Sequence, residues 1–241
     1  MRYGIIADIH GNLEALETVI AACRQEGIQD FLCLGDLVGY GANPKECLKM
    51  IQYLKAICIA GNHDWAVLGK IDVAYFNPVA KAAIAWTRQQ LSQQDLNFLK
   101  SLDLIFKNDD MILVHGTLDH PEEFHYLLDM SDILNTFSLI DRPLCFLAHT
   151  HVPGIFVKHK EKFYDARNLK ITLSPQEQCV VNVGSVGQPR DGSPLAAYCI
   201  YDTDARKVEI KRIAYDIETA QKKILVAGLP AFLAQRLSIG R

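Results

Sequence analysis

Five short apolar runs in this sequence end on residues able to hold a metal ion. Tyr3–Ala7 ends at Asp8-Ile9-His10, Phe31–Leu34 at Gly35-Asp36, and Ile57–Ala60 at Gly61-Asn62-His63-Asp64. Met111–Val114 runs into His115-Gly116, and Leu144–Ala148 into His149-Thr150-His151. Imidazole, carboxylate and amide ligands suit Mn²⁺, Fe, Zn²⁺, Co²⁺ or Ni²⁺ and disfavour Cu(I) or an iron–sulfur cluster. A lone histidine after a strand is more often a hydrogen-bonded structural residue. Here five of the eight histidines fall in these five segments, and each segment follows an apolar run.

These residues share a site only if the chain brings the ends of the runs together. The first half alternates the short runs with stretches of helical spacing: Leu13, Leu16, Val19, Ile20 and Cys23 recur every three or four residues and share one helix face. Asn43-Pro44 reads as an N-cap and first helical position, ahead of Cys47, Leu48, Ile51 and Leu54. Strand–helix–strand repetition implies parallel strands with helical crossovers. The carboxyl ends of parallel strands line one crevice, where ligands of open α/β sheets sit. Residues i and i+2 of an extended segment face the same side, which would aim Asp8 with His10, and His149 with His151.

Further helices are expected from Asn77-Pro78 towards Leu91, and after a capping box at Ser92–Asp95. Strands are expected at Gly154–Val157, Val180–Val183, Ala196–Tyr201 and Lys207–Ile213, the last two joined by a polar hairpin turn. Ile217–Leu237 is apolar at helical spacing, with Pro230 as a second helix start. No repeat or linker interrupts the chain, so one α/β domain over residues 1–241 is the economical reading.

The ordered set Asp8-Ile9-His10-Gly11-Asn12, Gly35-Asp36, Gly61-Asn62-His63-Asp64, His115-Gly116 and His149-Thr150-His151 resembles the calcineurin-like metallophosphoesterase superfamily over about residues 1–190. Gly184-Ser185-Val186-Gly187-Gln188-Pro189-Arg190 resembles its small bacterial and archaeal phosphodiesterase branch. The resemblance implies a four-layer α/β/β/α sandwich of two facing mixed sheets. It implies one metal on Asp8, His10 and His151, another on Asn62, His115 and His149, and Asp36 bridging them. His63 would stand outside the ligands as a catalytic histidine, with Asp64 orienting it. Two departures from the pattern are Ala148, where glycine usually opens the last motif, and Val38-Gly39-Tyr40-Gly41, which leaves Tyr40 without a role.

Two divalent ions about 3.5–4 Å apart would orient a phosphoryl group, neutralise its developing charge and acidify a bridging water to a hydroxide nucleophile. Two dications against Asp8, Asp36 and one hydroxide leave one net positive charge, which suits an anionic substrate. His63 as imidazolium would protonate the leaving alkoxide or stabilise the pentavalent state. Asn12 is expected to donate to substrate phosphate from the loop after the first strand, and Arg190 to contact it as a fork-shaped cation. His120, His125 and His159 match no motif.

The reading is therefore a phosphodiesterase for a small phosphoester. Phosphomonoesterase, protein phosphatase or dinucleoside polyphosphate hydrolase activity at the same site are the alternatives. A non-catalytic scaffold of the same fold, as in the retromer coat, lacks the histidine found here as His63.

The totals bound the rest. The chain has 241 residues, 49% hydrophobic and 22% charged, with net charge −3. It shows no basic surplus for a nucleic-acid polymer. The first apolar run is too short for a signal peptide core or a membrane span. Seven cysteines without a CxxC fit a reducing cytoplasm better than a disulfide framework, and Cys23, Cys33, Cys58 and Cys199 are expected as small core residues. The apolar C-terminal region is a candidate homo-oligomer surface.

Overall fold

The computed structural model describes residues 1–241. Its first half runs β1 (Arg2–Ile6), α1 (Leu13–Gln25), β2 (Asp30–Cys33), α2 (Pro44–Leu54), β3 (Ile57–Cys58), α3 (Asn62–Leu68), α4 (Pro78–Gln90) and α5 (Gln93–Lys100). Then come β4 (Ile105–Lys107), β5 (Met111–Val114), α6 (Met130–Leu139), β6 (Leu144–Leu147), β7 (Gly154–His159) and β8 (Lys162–Asp165). The chain ends with β9 (Lys170–Thr172), β10 (Glu177–Asn182), β11 (Ala196–Asp202), β12 (Lys207–Ile213), α7 (Ile217–Val226) and α8 (Ala231–Gln235).

The strands form two six-stranded mixed sheets, ordered β3-β2-β1-β11-β12-β9 and β4-β5-β6-β10-β7-β8. Each contains three parallel strands: β1, β2 and β3 in one, and β5, β6 and β10 in the other. Alternate residues of these strands enter different cores. Ile5, Leu32, Phe146 and Val181 pack between the sheets. Their neighbours Ile6 and Cys33 pack under α1, α2, α4 and α7, and Cys145 and Val180 under Ile133 and Phe137 of α6. The result is a four-layer α/β/β/α sandwich. Burial on both faces is why these strands read as continuous apolar runs rather than alternating ones.

Local signals start the helices as expected in most cases. The Asn77 side chain accepts from Ala80 N–H to start α4, and Ser92 with Asp95 forms the capping box of α5. Asn43 makes no side-chain cap bond, and Pro44 at the first position carries the start of α2. The C-terminal run is two helices, with Ala220, Ile224 and Leu233 packed on the first sheet's helical layer. No helix is long and apolar enough to cross a membrane. All seven cysteines are free, and Cys58 is only half-buried.

Several elements were not foreseen. The third apolar run pairs regularly only at Ile57–Cys58, with one further bridge from Ile59 to Asp103. β8 is exposed throughout, so no face of it is selected to be apolar. α6 is a further helix, begun by an Asp129–Asp132 capping box.

Candidate metal centre and its surroundings

The six parallel strands end at one edge, and each is followed by a segment that reaches the same crevice. Asp8 and His10 follow β1, Asp36 follows β2, and Asn62 and His63 follow β3. His115 follows β5, His149 and His151 follow β6, and Gln188 and Arg190 follow β10. Backbone hydrogen bonds staple the segments together: His10 N–H to Asp36 O (2.9 Å), Gly187 N–H to Asp8 O (2.9 Å) and Ala148 N–H to His115 O (2.9 Å). Gly35 (φ +86°) meets the backbone of Ala60 and Gly61 where any Cβ would collide. Glycine at the second motif is thus required by its approach to the third.

The chain aims the paired residues differently from the sequence expectation. Asp8, His10, Asp36, His149 and His151 have φ of 49°, 49°, 52°, 68° and 60°. They lie past the strand ends in the left-handed region, so the strand's two-residue period does not orient them. Each such non-glycine residue costs on the order of 1 kcal/mol. Five together mark a place where the backbone serves the side chains.

Two groups of side chains emerge, each with its ligand atoms within 4.8 Å of one another: Asp8, His10, Asp36 and His151, and Asp36, His115 and His149. Asp36 belongs to both. Asn62 Oδ1 lies 3.2 Å from His115 Nε2 and adds to the second group. All seven residues are buried.

The donor set fits divalent ions on several counts. Nδ1 of His10 faces Val38 O (3.1 Å), Nδ1 of His115 faces Leu34 O (2.6 Å), and Nδ1 of His151 faces Gln188 O (2.5 Å). A proton on each Nδ1 leaves the Nε2 lone pair free, the arrangement that fixes a metal-binding tautomer. Nε2 of His10 and of His151 then face each other at 3.1 Å. Two lone pairs repel at that distance unless a cation sits between them, and two ligands on one ion are roughly 3.0–3.4 Å apart. Asp8 accepts His149 N–H on Oδ2, while its Oδ1 is buried without a partner.

Burial lowers His10, His149 and His151 well below the usual histidine range, leaving them neutral. Burial would also lower His115, but the Asp36 carboxylate, by charge and hydrogen bond, and then Asp8 raise it to about 9. Burial opposes the charge on Asp36, yet His115 and His63 hold it well below the usual carboxylate range. Burial pushes Asp8 up to about 7. His115 is therefore cationic in the metal-free protein at neutral pH. A metal ion needs its Nε2 lone pair, so loading must expel that proton. More than one proton per chain should be released on metal binding at neutral pH, from His115 and in part from Asp8, and the number should fall as pH rises through about 9. Calorimetric titrations in two buffers of different ionisation enthalpy measure this, and identical apparent enthalpies at neutral pH would contradict it.

His63 stands beside the two groups. Its N–H donates to Asp36 Oδ1 (2.8 Å). Its ring packs on Tyr40 (4.4 Å), His10 (4.8 Å) and Phe76 (5.4 Å). Burial lowers it to about 4, so it is a neutral imidazole at neutral pH, not the imidazolium expected from sequence. Asp64 does not orient it. The Asp64 carboxylate accepts from the backbone N–H groups of Asp36, Leu37, Val38 and Gly61 (2.9, 3.0, 3.4 and 3.0 Å), and His63 Nδ1 has no hydrogen-bond partner. Asp64 is a clamp between the second and third motifs. Asp64→Ala leaves four buried donors unmet and should destabilise the fold by roughly 3 kcal/mol or more. Denaturant melts give the value, and a loss under about 1 kcal/mol would refute the clamp.

Asn12 is also corrected. Its Oδ1 caps α1 at Ala15 N–H (3.2 Å), and its Nδ2 donates to Gly187 O (2.8 Å) and Tyr215 Oη (3.2 Å). The side chain is committed to holding the β10 loop and has no donor left for phosphate. Arg190 is half-buried at the rim, with Nε and Nη2 donating to Gln188 Oε1 (3.3 and 2.9 Å). His120, His125 and His159 lie outside the centre beside surface carboxylates.

Aromatic residues complete the surroundings. Tyr126 stacks on His149 at 3.9 Å, Phe124 meets His115 edge-on at 5.9 Å, and Tyr40 covers His10 at 4.7 Å. A cavity of about 620 Å³ opens beside the centre, reaching Asn62, His63 and His149 through Tyr40, Phe76, Phe124 and Tyr126, with Asp72, Glu122 and Glu123 also lining it. A second cavity of about 660 Å³, lined by Lys70, Lys81 and Arg88 among others, contains none of the ligand residues.

Residues 1–206 match the family model of the calcineurin-like phosphoesterase superfamily domain. The chain is 42% identical over 243 residues to the uncharacterized protein MJ0912 of Methanocaldococcus jannaschii, covering 98% of this chain and 97% of that one. It is 26% identical over 219 residues to the phosphodiesterase YfcE of Escherichia coli K12, covering 86% of this chain and 91% of that one. Among solved structures, a metallophosphoesterase from Sphaerobacter thermophilus superposes with a TM-score of 0.87 at 37% identity, covering 100% of this chain and 99% of that one.

Proposed function

The chain belongs to the calcineurin-like phosphoesterase superfamily and is a phosphoester hydrolase, and from that premise we propose that it is a phosphodiesterase for a small substrate, working at a dinuclear metal centre. The observation that carries this reading is Asp36, shared by two buried ligand groups, with His63 and an organic-lined cavity directly beside it. Asp8, His10, Asp36 and His151 would hold one ion, and Asp36, Asn62, His115 and His149 the other. Two such ions supply charge neutralisation at the phosphoryl oxygens and an acidified water as nucleophile.

The chain's own groups do the rest. His63, a neutral imidazole in the free protein, donates a hydrogen bond to the phosphoryl group; the negative charge of the bound phosphoester favours its imidazolium, which gives the added proton to the leaving oxygen and returns to the neutral ring. Arg190 adds a cation at the rim. Tyr40, Phe76, Phe124 and Tyr126 exclude water and receive the organic leaving group. That cavity accepts an organic leaving group, and the preference for a diester rests on the resemblance to the small phosphodiesterase branch. The diesterase name of YfcE is consistent with this. Mn²⁺, Fe, Zn²⁺, Co²⁺ and Ni²⁺ all suit the donor set. Seven free thiols favour a reducing cytoplasm.

The test is turnover of bis-p-nitrophenyl phosphate against p-nitrophenyl phosphate by protein loaded with Mn²⁺. The diester should be the better substrate by kcat/KM. Exclusive turnover of the monoester would replace this reading with a phosphomonoesterase, and turnover of neither by metal-loaded protein would remove it.

A further inference from the structure

Three ligand histidines of this centre are fixed at Nδ1 by a backbone oxygen. His63 is not. Its ring is buried, its Nδ1 has no partner, and the carboxylate of Asp64 is taken up by four backbone N–H groups. The outer side-chain torsion of a histidine is broad and roughly two-fold. A half-turn about it exchanges nitrogen for carbon along each edge of the ring. A ring that must hand a proton to one oxygen therefore needs a restraint other than a hydrogen bond.

That restraint lies in the turn after the second motif. Gly39 has φ +90°, and a Cβ built on it would stand 2.4 Å from His63 Nδ1 and 3.1 Å from its Cγ. Only a bare glycine fits against this edge of the imidazole. Tyr40 follows, buried and in left-handed backbone at φ +59°, a conformation that bulky residues rarely adopt. Its ring meets the His63 ring at 4.4 Å and the His10 ring at 4.7 Å. Phe76 meets the His63 ring at 5.4 Å.

The turn is itself held. His10 Nδ1 faces Val38 O (3.1 Å), Gly41 N–H donates to His10 O (2.8 Å), and Val38 N–H donates to Asp64 Oδ1 (3.4 Å). Gly41 passes so close to His10 O and Gly11 that a Cβ there would collide. The Cζ atoms of Arg190 and Arg236 lie 5.8 and 5.9 Å from the Tyr40 ring centroid, and cation–π attraction adds to the grip on the ring.

We propose that Gly39 and Tyr40 are the positioning residues of His63. The turn does by packing what a hydrogen bond at Nδ1 does for the ligand histidines, and it presents His63 Nε2 to the cavity. Nδ1 is the nitrogen enclosed against Gly39, so Nε2 is the one left open where His63 lines that cavity. The proton then reaches the leaving oxygen from Nε2. Val38-Gly39-Tyr40-Gly41, a departure from the family pattern, thereby gains a task. The inference rests on the proposed reaction, in which His63 protonates the leaving oxygen.

Ethyl p-nitrophenyl phosphate and diethyl phosphate share a retained group, and only the second has a leaving group that needs a proton. In the Mn²⁺-loaded enzyme, Tyr40→Ala should lower kcat on diethyl phosphate about 10–100-fold and on the aryl ester by no more than about threefold. Metal content should match that of the unaltered protein. Gly39→Ala, which drives a methyl group at the His63 ring, should show the same selective loss. Tyr40→Phe keeps the ring and should restore most of the rate. In a His63→Ala background, Tyr40→Ala should cost less than about twofold more. Equal losses on the two esters, loss of metal in Tyr40→Ala, or a full further loss in the double variant would overturn the proposal. Tyr40→Leu, which fills the space without a flat face, replaces the alanine form should that form not fold. A second readout needs no turnover. In metal-free protein labelled with ¹⁵N-histidine, the His63 ring signals are identified by their absence in His63→Ala. They should form one sharp set in the unaltered protein and in Tyr40→Phe, and should broaden or double in Tyr40→Ala. One sharp set in Tyr40→Ala ends the proposal. If neither ester turns over in metal-loaded protein, the diesterase reading fails, and these spectra still decide what holds the ring.

Discussion

Asp36→Ala is expected to lose both metal ions and to lower turnover by roughly 10³-fold or more, equivalent to about 4 kcal/mol of transition-state stabilisation. Asp36 is the one side chain common to both ligand groups. Its Oδ2 lies 3.5 Å from His10 Nε2 and 3.4 Å from His115 Nε2, so one carboxylate faces histidines on both sides. The remaining ligands are one carboxylate, an amide and neutral imidazoles, too little negative charge to hold two dications close together. The same carboxylate also accepts His63 N–H, and alanine would release that histidine as well. Asp36→Asn separates these effects, since an amide oxygen still accepts the N–H but carries no charge. Metal content after desalting, measured by mass spectrometry, should fall in both variants, whereas the start of α3, which carries His63, should stay ordered only in the asparagine form. Two ions per chain retained in Asp36→Ala would rule out the shared-ligand assignment.

The legible and illegible parts of this centre differ in how local their causes are. The parallel strands other than β3 are buried on both faces towards their carboxyl ends, and continuous apolar runs such as Phe31–Leu34 and Leu144–Ala148 announce that burial directly. A ligand residue just past each run inherits its position from the strand end. The geometry within the loops was less accessible. Asp8-x-His10 converges through left-handed backbone at both residues, a conformation chosen by the loop's hydrogen bonds to Gly35 and Asp36 and not by any strand period. Asn12 shows the same limit. Its place after the first motif suggests a phosphate contact, yet its partners are Gly187 and Tyr215, 175 and 203 positions away. Asp64 looks like a partner for His63 because it stands next to it, although adjacent residues at a helix start point apart. Arg236 carries no motif at all, and only the docking of α8 against the Gln188 loop brings it to Tyr40.

His63→Ala separates chemistry from metal binding. The His63 ring is not in either ligand group, and it is tied to Asp36 through its backbone N–H, which alanine keeps. Both ions should therefore remain, while kcat falls by about 10²–10⁴-fold, the range for loss of a positioned proton-transfer group. The environment sharpens the expectation. Burial holds the ring neutral in the free protein, with a pKa of about 4, so it begins as a donor of one ring proton rather than as a cation. A diester whose leaving group needs no proton, such as a p-nitrophenyl ester, should suffer the smaller loss, and an alkyl leaving group the larger. The pH dependence of metal content should match that of the unaltered protein, because the histidines that compete with protons for metal are His10, His115, His149 and His151. Equal losses for the aryl and alkyl esters would mean that His63 stabilises charge on the phosphoryl oxygens without transferring a proton. Full activity with both ions bound would remove it from the reaction and leave its burial against Tyr40 and Phe76 as its whole role.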